Sequence, residues 1–361
     1  MALLRRRPFF FFLWLLAAQI LFFDSSYAQT PTLWREGDDT ALDPELERLN
    51  RAFIGLAQTV QPGVVQIRGS AKPPPAGTNE KEQPQSTRGS GMIINPEGYI
   101  LTAYHVIDRA EKVEIRLANR QRLPAKIVAT EPQIDIAVLK VESTGNLPAI
   151  AFGDSTKLRV GELVAAVTYP FGRESSLSIG IVSRHSNIEN DSFGFDFIQT
   201  DTSVGPGASG GPLVNMRGHT VGMITMASQT GNMGFAVPIS VIKKALPKLL
   251  QNQHFAWGWL GVKVAEVTMD LAKSLGLSPV RGVVISTVLP DQPAAKNDLR
   301  PQDIVLAING VPIDSPREFT RLIGGNEAGK EVTLTIFRKG KVLSQSVLLG
   351  AKPTSSEGRE G

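Results

Sequence analysis

Three short strings in this 361-residue chain carry side chains suited to nucleophilic acyl transfer. Leu101-Thr102-Ala103-Tyr104-His105 supplies an imidazole. Ile134-Asp135-Ile136 opens an apolar run with a carboxylate inside it, and Gly205-Pro206-Gly207-Ala208-Ser209-Gly210-Gly211 sets a hydroxyl among glycines. A serine hydroxyl is a poor nucleophile until an imidazole accepts its proton. That imidazole needs a carboxylate on its other nitrogen to fix tautomer and orientation. Asp135 lies in a strand-like run where an unpaired carboxylate is costly, so it is expected to hold His105. Gly207 allows the backbone conformation that lets the N–H groups of Gly207 and Ser209 converge as an oxyanion hole. His185, His219 and His254 have no comparable setting.

Other chemistries are disfavoured. The chain has no cysteine, so a thiol nucleophile, thiolate metal ligands and disulfides are excluded. It contains no H-E-x-x-H or phosphate-loop string, and neither metal nor cofactor is expected. Gly205, Gly207 and Gly210 satisfy the dinucleotide pattern G-x-G-x-x-G, but Pro212 and strand-like residues follow where a helix should open. The same stretch satisfies G-x-S-x-G. That elbow needs its acid and histidine after the serine on an alternating α/β frame, whereas here the order is His, Asp, Ser, as in chymotrypsin-like folds. Three arginines and one aspartate within residues 1–28 account for half of the formal charge of +4, and no dense basic run follows, so no nucleic-acid partner is expected.

The elements that must position these groups read as mainly β. Asp43-Pro44 opens a helix whose Leu46, Leu49, Phe53 and Leu56 form an apolar stripe. Short β-like runs follow at 64–68, 91–95, 99–102, 113–117, 125–129, 135–141, 163–168, 177–183 and 195–199, with turn residues between them at the spacing of a barrel or sandwich. Residues 71–88 are polar and predict a surface loop. A helix near 240–252 closes this unit and 251–256 links it to a smaller α+β unit. That second unit has strands at 283–288, 304–308 and 332–337 and helices near Leu271 and Phe319. The limits expected are 1–28 for a signal peptide or membrane anchor, 43–252 and 257–350 for the two domains, and 351–361 for a flexible tail.

At the N-terminus, Arg5-Arg6-Arg7, an apolar run over 8–23 and Ser26-Tyr27-Ala28 make an export signal with a small-residue cleavage site. The run is shorter than the roughly 20 residues a membrane span needs. The alternative is an uncleaved tether through residues 8–23. Either way the body of the protein is expected in the periplasm or otherwise outside the cytoplasm.

These strings resemble the HtrA serine proteases, a chymotrypsin-like double β-barrel domain followed by a PDZ domain. The resemblance is carried by Gly89-Ser90-Gly91, 98–102 with His105, 135–140, Pro170-Phe171-Gly172, Gln199-Thr200-Asp201, 207–214 and 234–238. It implies a triad of His105, Asp135 and Ser209, cleavage of misfolded or unfolded exported proteins, and a homotrimer. Ala103-Tyr104 and Ala208 stand where the family commonly has asparagines. Ser203, six residues before Ser209, is not an acid. With Ile224, Thr225 and Met226 as a pocket wall, small or medium aliphatic residues are expected before the cut. Gly258-Trp259-Leu260-Gly261-Val262 is similar to a PDZ carboxylate-binding loop, and Phe319, Leu322 and Ile323 share a helical face that would line the pocket for a peptide C-terminus or else belong to the core. Gln302 replaces the glycine of the family's Pro-Gly-Asp turn. Two alternatives remain open: an anchored regulatory protease, and a chaperone or peptide-binding module with a vestigial triad.

Overall fold

A computed structural model describes Trp34 and residues 43–70, 86–143, 145–186, 195–228, 233–251 and 255–353. The first described helix, α1 (Pro44–Val60), starts where Asp43 caps it, the carboxylate accepting the Glu45 N–H at 2.8 Å. Its apolar stripe is only half used. Leu56 and Val60 enter the core, while Leu46 is 57% exposed and Leu49 is also exposed. The stripe expected from spacing alone therefore packs only at the C-terminal end of the helix.

Two closed six-stranded barrels follow. The first contains β1 (Val64–Ser70), β2 (Ser86–Ile93), β3 (Tyr99–Ala103), the one-turn helix α2 (Tyr104–Ile107), β4 (Lys112–Arg116), β5 (Arg122–Glu131) and β6 (Ile136–Val141), in the strand order β1-β2-β3-β6-β5-β4. The second contains β7 (Leu163–Thr168), β8 (Ser176–Ser186), β9 (Phe197–Thr200), β10 (Pro212–Asn215), β11 (Thr220–Ala227) and β12 (Gly234–Pro238), in the order β10-β11-β12-β9-β8-β7. This is the double-barrel, mainly β fold expected from the sequence. Alternation drives it: in β4, Val113 and Ile115 point inward between exposed or half-buried charges. One core cluster takes residues from both barrels, among them Ile67, Leu101, Ile136, Val167, Val214 and Met223, and α3 (Ile239–Leu249) adds Ile239, Ile242 and Ala245 to it.

A smaller unit completes the chain. Its elements are β13 (Gly258–Trp259), β14 (Val262–Glu266), α4 (Met269–Leu275), β15 (Val283–Val288), α5 (Pro293–Lys296), β16 (Ile304–Ile308), β17 (Val311–Pro312), α6 (Pro316–Gly324), β18 (Glu331–Arg338), β19 (Lys341–Leu348) and β20 (Gly350–Ala351). The sheet runs β14-β15-β16-β18-β19, which leaves one edge of β14 without a partner among the described residues, and β13 pairs with β20. It has its own core around Ile285, Val305, Ile308, Phe319, Leu334 and Ile336.

Several sequence expectations need correction. Ser86–Arg88 belong to β2, paired with Arg68–Ser70, because an exposed edge tolerates polar side chains; residues 71–85 lie outside the described residues. Phe255 is buried against Trp257, with ring centroids 4.4 Å apart, so this end of the 251–256 linker is packed. Ala351 pairs with Gly258 and the Lys352 N–H donates to Trp257 O at 2.9 Å, so the expected tail does not begin at 351. The signal segment 1–28, the apolar run 8–23 and residues 354–361 lie outside the described residues. No described helix is long and apolar enough to cross a membrane.

Candidate active site

The register of β3 against β6 brings the first two groups together. Ala103 pairs with Ile136, so the residue following β3 and the residue preceding β6 are neighbours. Asp135 is not inside the strand, as the apolar run suggested. It caps a 3₁₀ turn over Pro132–Ile134 in a left-handed conformation (φ 54°), with its carbonyl accepting the Tyr104 N–H at 3.1 Å. That turn aims the carboxylate at His105. Oδ1 accepts the His105 backbone N–H at 3.0 Å, and Oδ2 lies 2.8 Å from Nδ1. The hydroxyl of Thr225, on β11, donates to Oδ2 as well. With Nδ1–H committed to a carboxylate, the lone pair sits on Nε2, the atom required of a base. The hydrogen bond that His105 donates to Asp135 raises the His105 pKa above its ordinary 6.5; burial opposes that rise and the negative charge adds to it.

Ser209 arrives from the second barrel. The Gly210 N–H donates to Ile224 O at 2.7 Å and the Ile224 N–H to Gly211 O at 2.9 Å, continuing the β10–β11 ladder past Pro212–Met223. Ser209 is thereby set beside Thr225, and its hydroxyl donates to Thr225 O at 3.2 Å. Thr225 thus touches Asp135 with its side chain and Ser209 with its carbonyl. Ser209 Oγ makes no hydrogen bond to His105 in this rotamer; turning χ1 exchanges the carbonyl for another acceptor.

The loop before Ser209 is pinned through its carbonyls. Pro206 O accepts the Phe171 N–H at 2.7 Å, and Ala208 O accepts the Gly211 N–H at 3.0 Å. A trans peptide points its N–H opposite to its C=O, so the N–H groups of Gly207 and Ser209 face away from those anchors. Among the described residues neither donates to an acceptor. Gly207 has φ +93°, and a Cβ there would lie 2.7 Å from Tyr169 O. Phe171 is itself left-handed (φ 55°), a sparsely populated conformation for a non-glycine residue.

Of the expected pocket wall, Ile224 and Thr225 are buried and Met226 is partly exposed. Ile224 clusters with Val204 and Ala208, and Val204 lies 2.9 Å from where a Cβ on Gly234 would sit. The Ser203 N–H is bound to Ser178 Oγ at 2.8 Å, and the nearby acid Asp201 turns to the Ile181 N–H at 2.7 Å. In the second unit, Leu260 O and Gly261 O accept N–H groups from Ala294 and Leu289, while the N–H groups of Leu260 and Gly261 donate to no acceptor among the described residues. Gly261 has φ +76°; Trp259 and Val262 flank the loop, half-buried. Phe319 and Ile323 are core residues, and Leu322 alone of that helical trio is half-buried.

Comparison with known proteins agrees with this organisation. Residues 89–223 match the trypsin-like peptidase domain family and residues 258–349 the PDZ domain family. The chain is 39% identical over 325 residues to a probable periplasmic serine endoprotease DegP-like of Pseudomonas savastanoi pv. phaseolicola, covering 88% of this chain and 65% of that protein. It is 40% identical over 291 residues to the protein of that description in Pseudomonas putida (strain W619), covering 79% and 60%. The solved structure of HtrA-type protease AlgW with tripeptide aligns with a TM-score of 0.73 at 29% identity, covering 84% of this chain and 99% of that one. This chain carries a trypsin-like peptidase domain followed by a PDZ domain, and is similar to HtrA-type proteases. It spans 60% to 65% of the length of the two DegP-like relatives.

Within this HtrA-type frame, three functional features were not read from the sequence. Thr225 was expected only as a pocket wall, yet it also buttresses Asp135. Phe171 belongs to the string Pro170-Phe171-Gly172, but its N–H also holds the Pro206 carbonyl. Ser90, the centre of Gly89-Ser90-Gly91, contacts the Ser209 loop directly. A buried hydroxyl between two glycines in a strand was the available signal for the last of these.

Proposed function

We propose that this chain is a serine endopeptidase of exported proteins, with Ser209 as nucleophile, His105 as general base and acid, and Asp135 as the group that orients and stabilises the imidazole. The observation that carries the reading is the 2.8 Å contact between His105 Nδ1 and Asp135, with Ser209 held one hydrogen bond away on Thr225. On attack, Ser209 Oγ gives its proton to His105 Nε2 and bonds to the substrate carbonyl carbon. The carbonyl oxygen becomes an oxyanion facing the N–H groups of Gly207 and Ser209. When the C–N bond breaks, the leaving amine takes the proton from Nε2, and an acyl ester remains on Ser209. Water, deprotonated by the same imidazole, then releases the acid and restores the hydroxyl.

The apolar cluster of Val204, Ala208 and Ile224 supports preference for small or medium aliphatic residues before the cut. The edge of β14 and the N–H groups of Leu260 and Gly261, all without partners among the described residues, support capture of peptide C-termini by strand addition. The proposed limits are 43–252 for the protease domain and 257–352 for the PDZ domain. The proposed setting is the periplasm, as a homotrimer acting on misfolded or unfolded proteins, in keeping with how the relatives are named. Digestion of unfolded casein by the purified wild type, abolished in Ser209→Ala, is the expected result. Digestion undiminished in Ser209→Ala would remove the reading, and absence of digestion in both would favour a peptide-holding protein. N-terminal sequencing of the same preparation distinguishes a mature start at Gln29 from a retained tether.

A further inference from the structure

Ser90 lies on β2 in the first barrel and is 0% exposed, yet its polar atoms reach into the loop of the second barrel that carries Ser209. Its N–H donates to Ser209 O at 2.8 Å. Its Oγ lies 2.7 Å from Gly207 O and 2.8 Å from the Tyr169 nitrogen, and its carbonyl accepts the Thr102 hydroxyl at 2.8 Å. A hydroxyl has one proton, and a backbone N–H can only donate. Tyr169 N–H therefore fills a lone pair of Oγ, and the proton goes to Gly207 O.

Gly207 has no side chain to stiffen that loop. Glycine moves freely between backbone conformations, and no side chain can replace it here because a Cβ would strike the Tyr169 carbonyl. The stiffness that an oxyanion hole requires must come from its neighbours. Pro206 O and Ala208 O are held within the second barrel, by Phe171 and Gly211. The carbonyl between them, Gly207 O, and the one after them, Ser209 O, are both held by Ser90. A Cβ on Gly89 would strike Val106 and come within 3.1 Å of Ser209 O, and one on Gly210 would strike Ser90 O, so close approach of the two segments requires glycine on both sides.

We propose that Ser90 is a positioning residue for the oxyanion hole, its hydroxyl fixing the Gly207–Ala208 peptide so that the N–H groups of Gly207 and Ser209 stay aimed at one point. The inference rests on the reading of those two N–H groups as the hole. Its test uses an N-acyl valine ester and the matching thionoester, whose sulfur is a poor hydrogen-bond acceptor. A working hole favours the oxygen ester strongly. Ser90→Ala, which removes the hydroxyl, and Ser90→Cys, which keeps its shape with a weaker donor, should each lower kcat for the oxygen ester about 10- to 100-fold. KM should stay within about twofold, as for an interaction made only in the transition state. The oxygen-to-sulfur rate ratio should fall with kcat. Folded variants that keep the wild-type ratio would overturn the proposal. So would loss of the folded circular dichroism spectrum in both variants, which would make Ser90 a residue of the fold. A wild type that hydrolyses both esters equally would instead remove the oxyanion-hole reading itself.

Discussion

The bond between Asp135 and His105 sets the pH response of the site. In the proposed mechanism only neutral His105 can take the Ser209 proton, and the hydrogen bond it donates to Asp135 lifts the imidazole pKa above 6.5. A kcat/KM profile should therefore rise with pH through an apparent pKa above that value. Asp135→Asn should remove the rise in pKa and lower kcat by about 10⁴-fold, as loss of the orienting carboxylate does in such triads. Stability runs the other way. A group whose folded pKa is raised stabilises fully below its unfolded value near 6.5, and that contribution disappears as pH climbs through the folded value. Activity and the His105–Asp135 contribution to stability should thus show opposite slopes in one window, measurable by thermal melts beside the rate profile. The meeting of His105 and Asp135 was legible because few side chains can make such a pair, and their chain order is informative. Thr225 was illegible as a buttress because a threonine on a strand has many uses. Only folding shows that its hydroxyl meets Asp135 and its carbonyl meets Ser209.

At the level of elements, the turn before β16 carries the clearest mark of this chain's departures. Gln302 is left-handed (φ 71°) at the position where the family resemblance expects glycine. A side chain in that region costs roughly 1–2 kcal/mol, partly offset by the greater unfolded-state freedom of glycine. Gln302→Gly should raise the stability of the second unit by about 1 kcal/mol in a urea melt. Next to it, Asp303 is buried and accepts Arg338 Nε and Nη2 at 2.6 and 2.7 Å, clamping the turn to the end of β18. Arg338→Ala leaves that carboxylate unpaired and should destabilise by about 3–5 kcal/mol. Strands β15 and β16 could be read to the residue because continuous apolar runs bounded by turn residues define their ends. The first residues of β2, the pairing partners of each strand and the exposed face of α1 could not, since exposed positions accept almost any side chain and only the packed neighbours decide register and burial.

Across the whole molecule, α3 at the end of the barrels is tied to the smaller unit. Lys248 pairs with Glu327, Lys244 Nζ donates to Gly325 O at 2.9 Å, and Arg317 on α6 reaches Asp196 at 2.8 Å and the His185 carbonyl. These groups are partly exposed, so each pair should contribute about 0–1 kcal/mol. Lys248→Glu and Glu327→Lys should each lower the melting temperature, and the double exchange should recover most of the loss, which a double-mutant cycle would measure. None of this stitching could be foreseen, because it joins charges far apart in sequence that look like ordinary solvated surface. The two barrels each bring part of the proposed site: one brings His105, Asp135 and Ser90, the other Ser209, Gly207 and Thr225, and one core cluster takes residues from both. Each barrel therefore supplies half of the proposed site. A backbone nick in the segment joining β6 to β7 should be survivable while the halves stay docked, and separated fragments should be inert until remixing restores turnover by complementation.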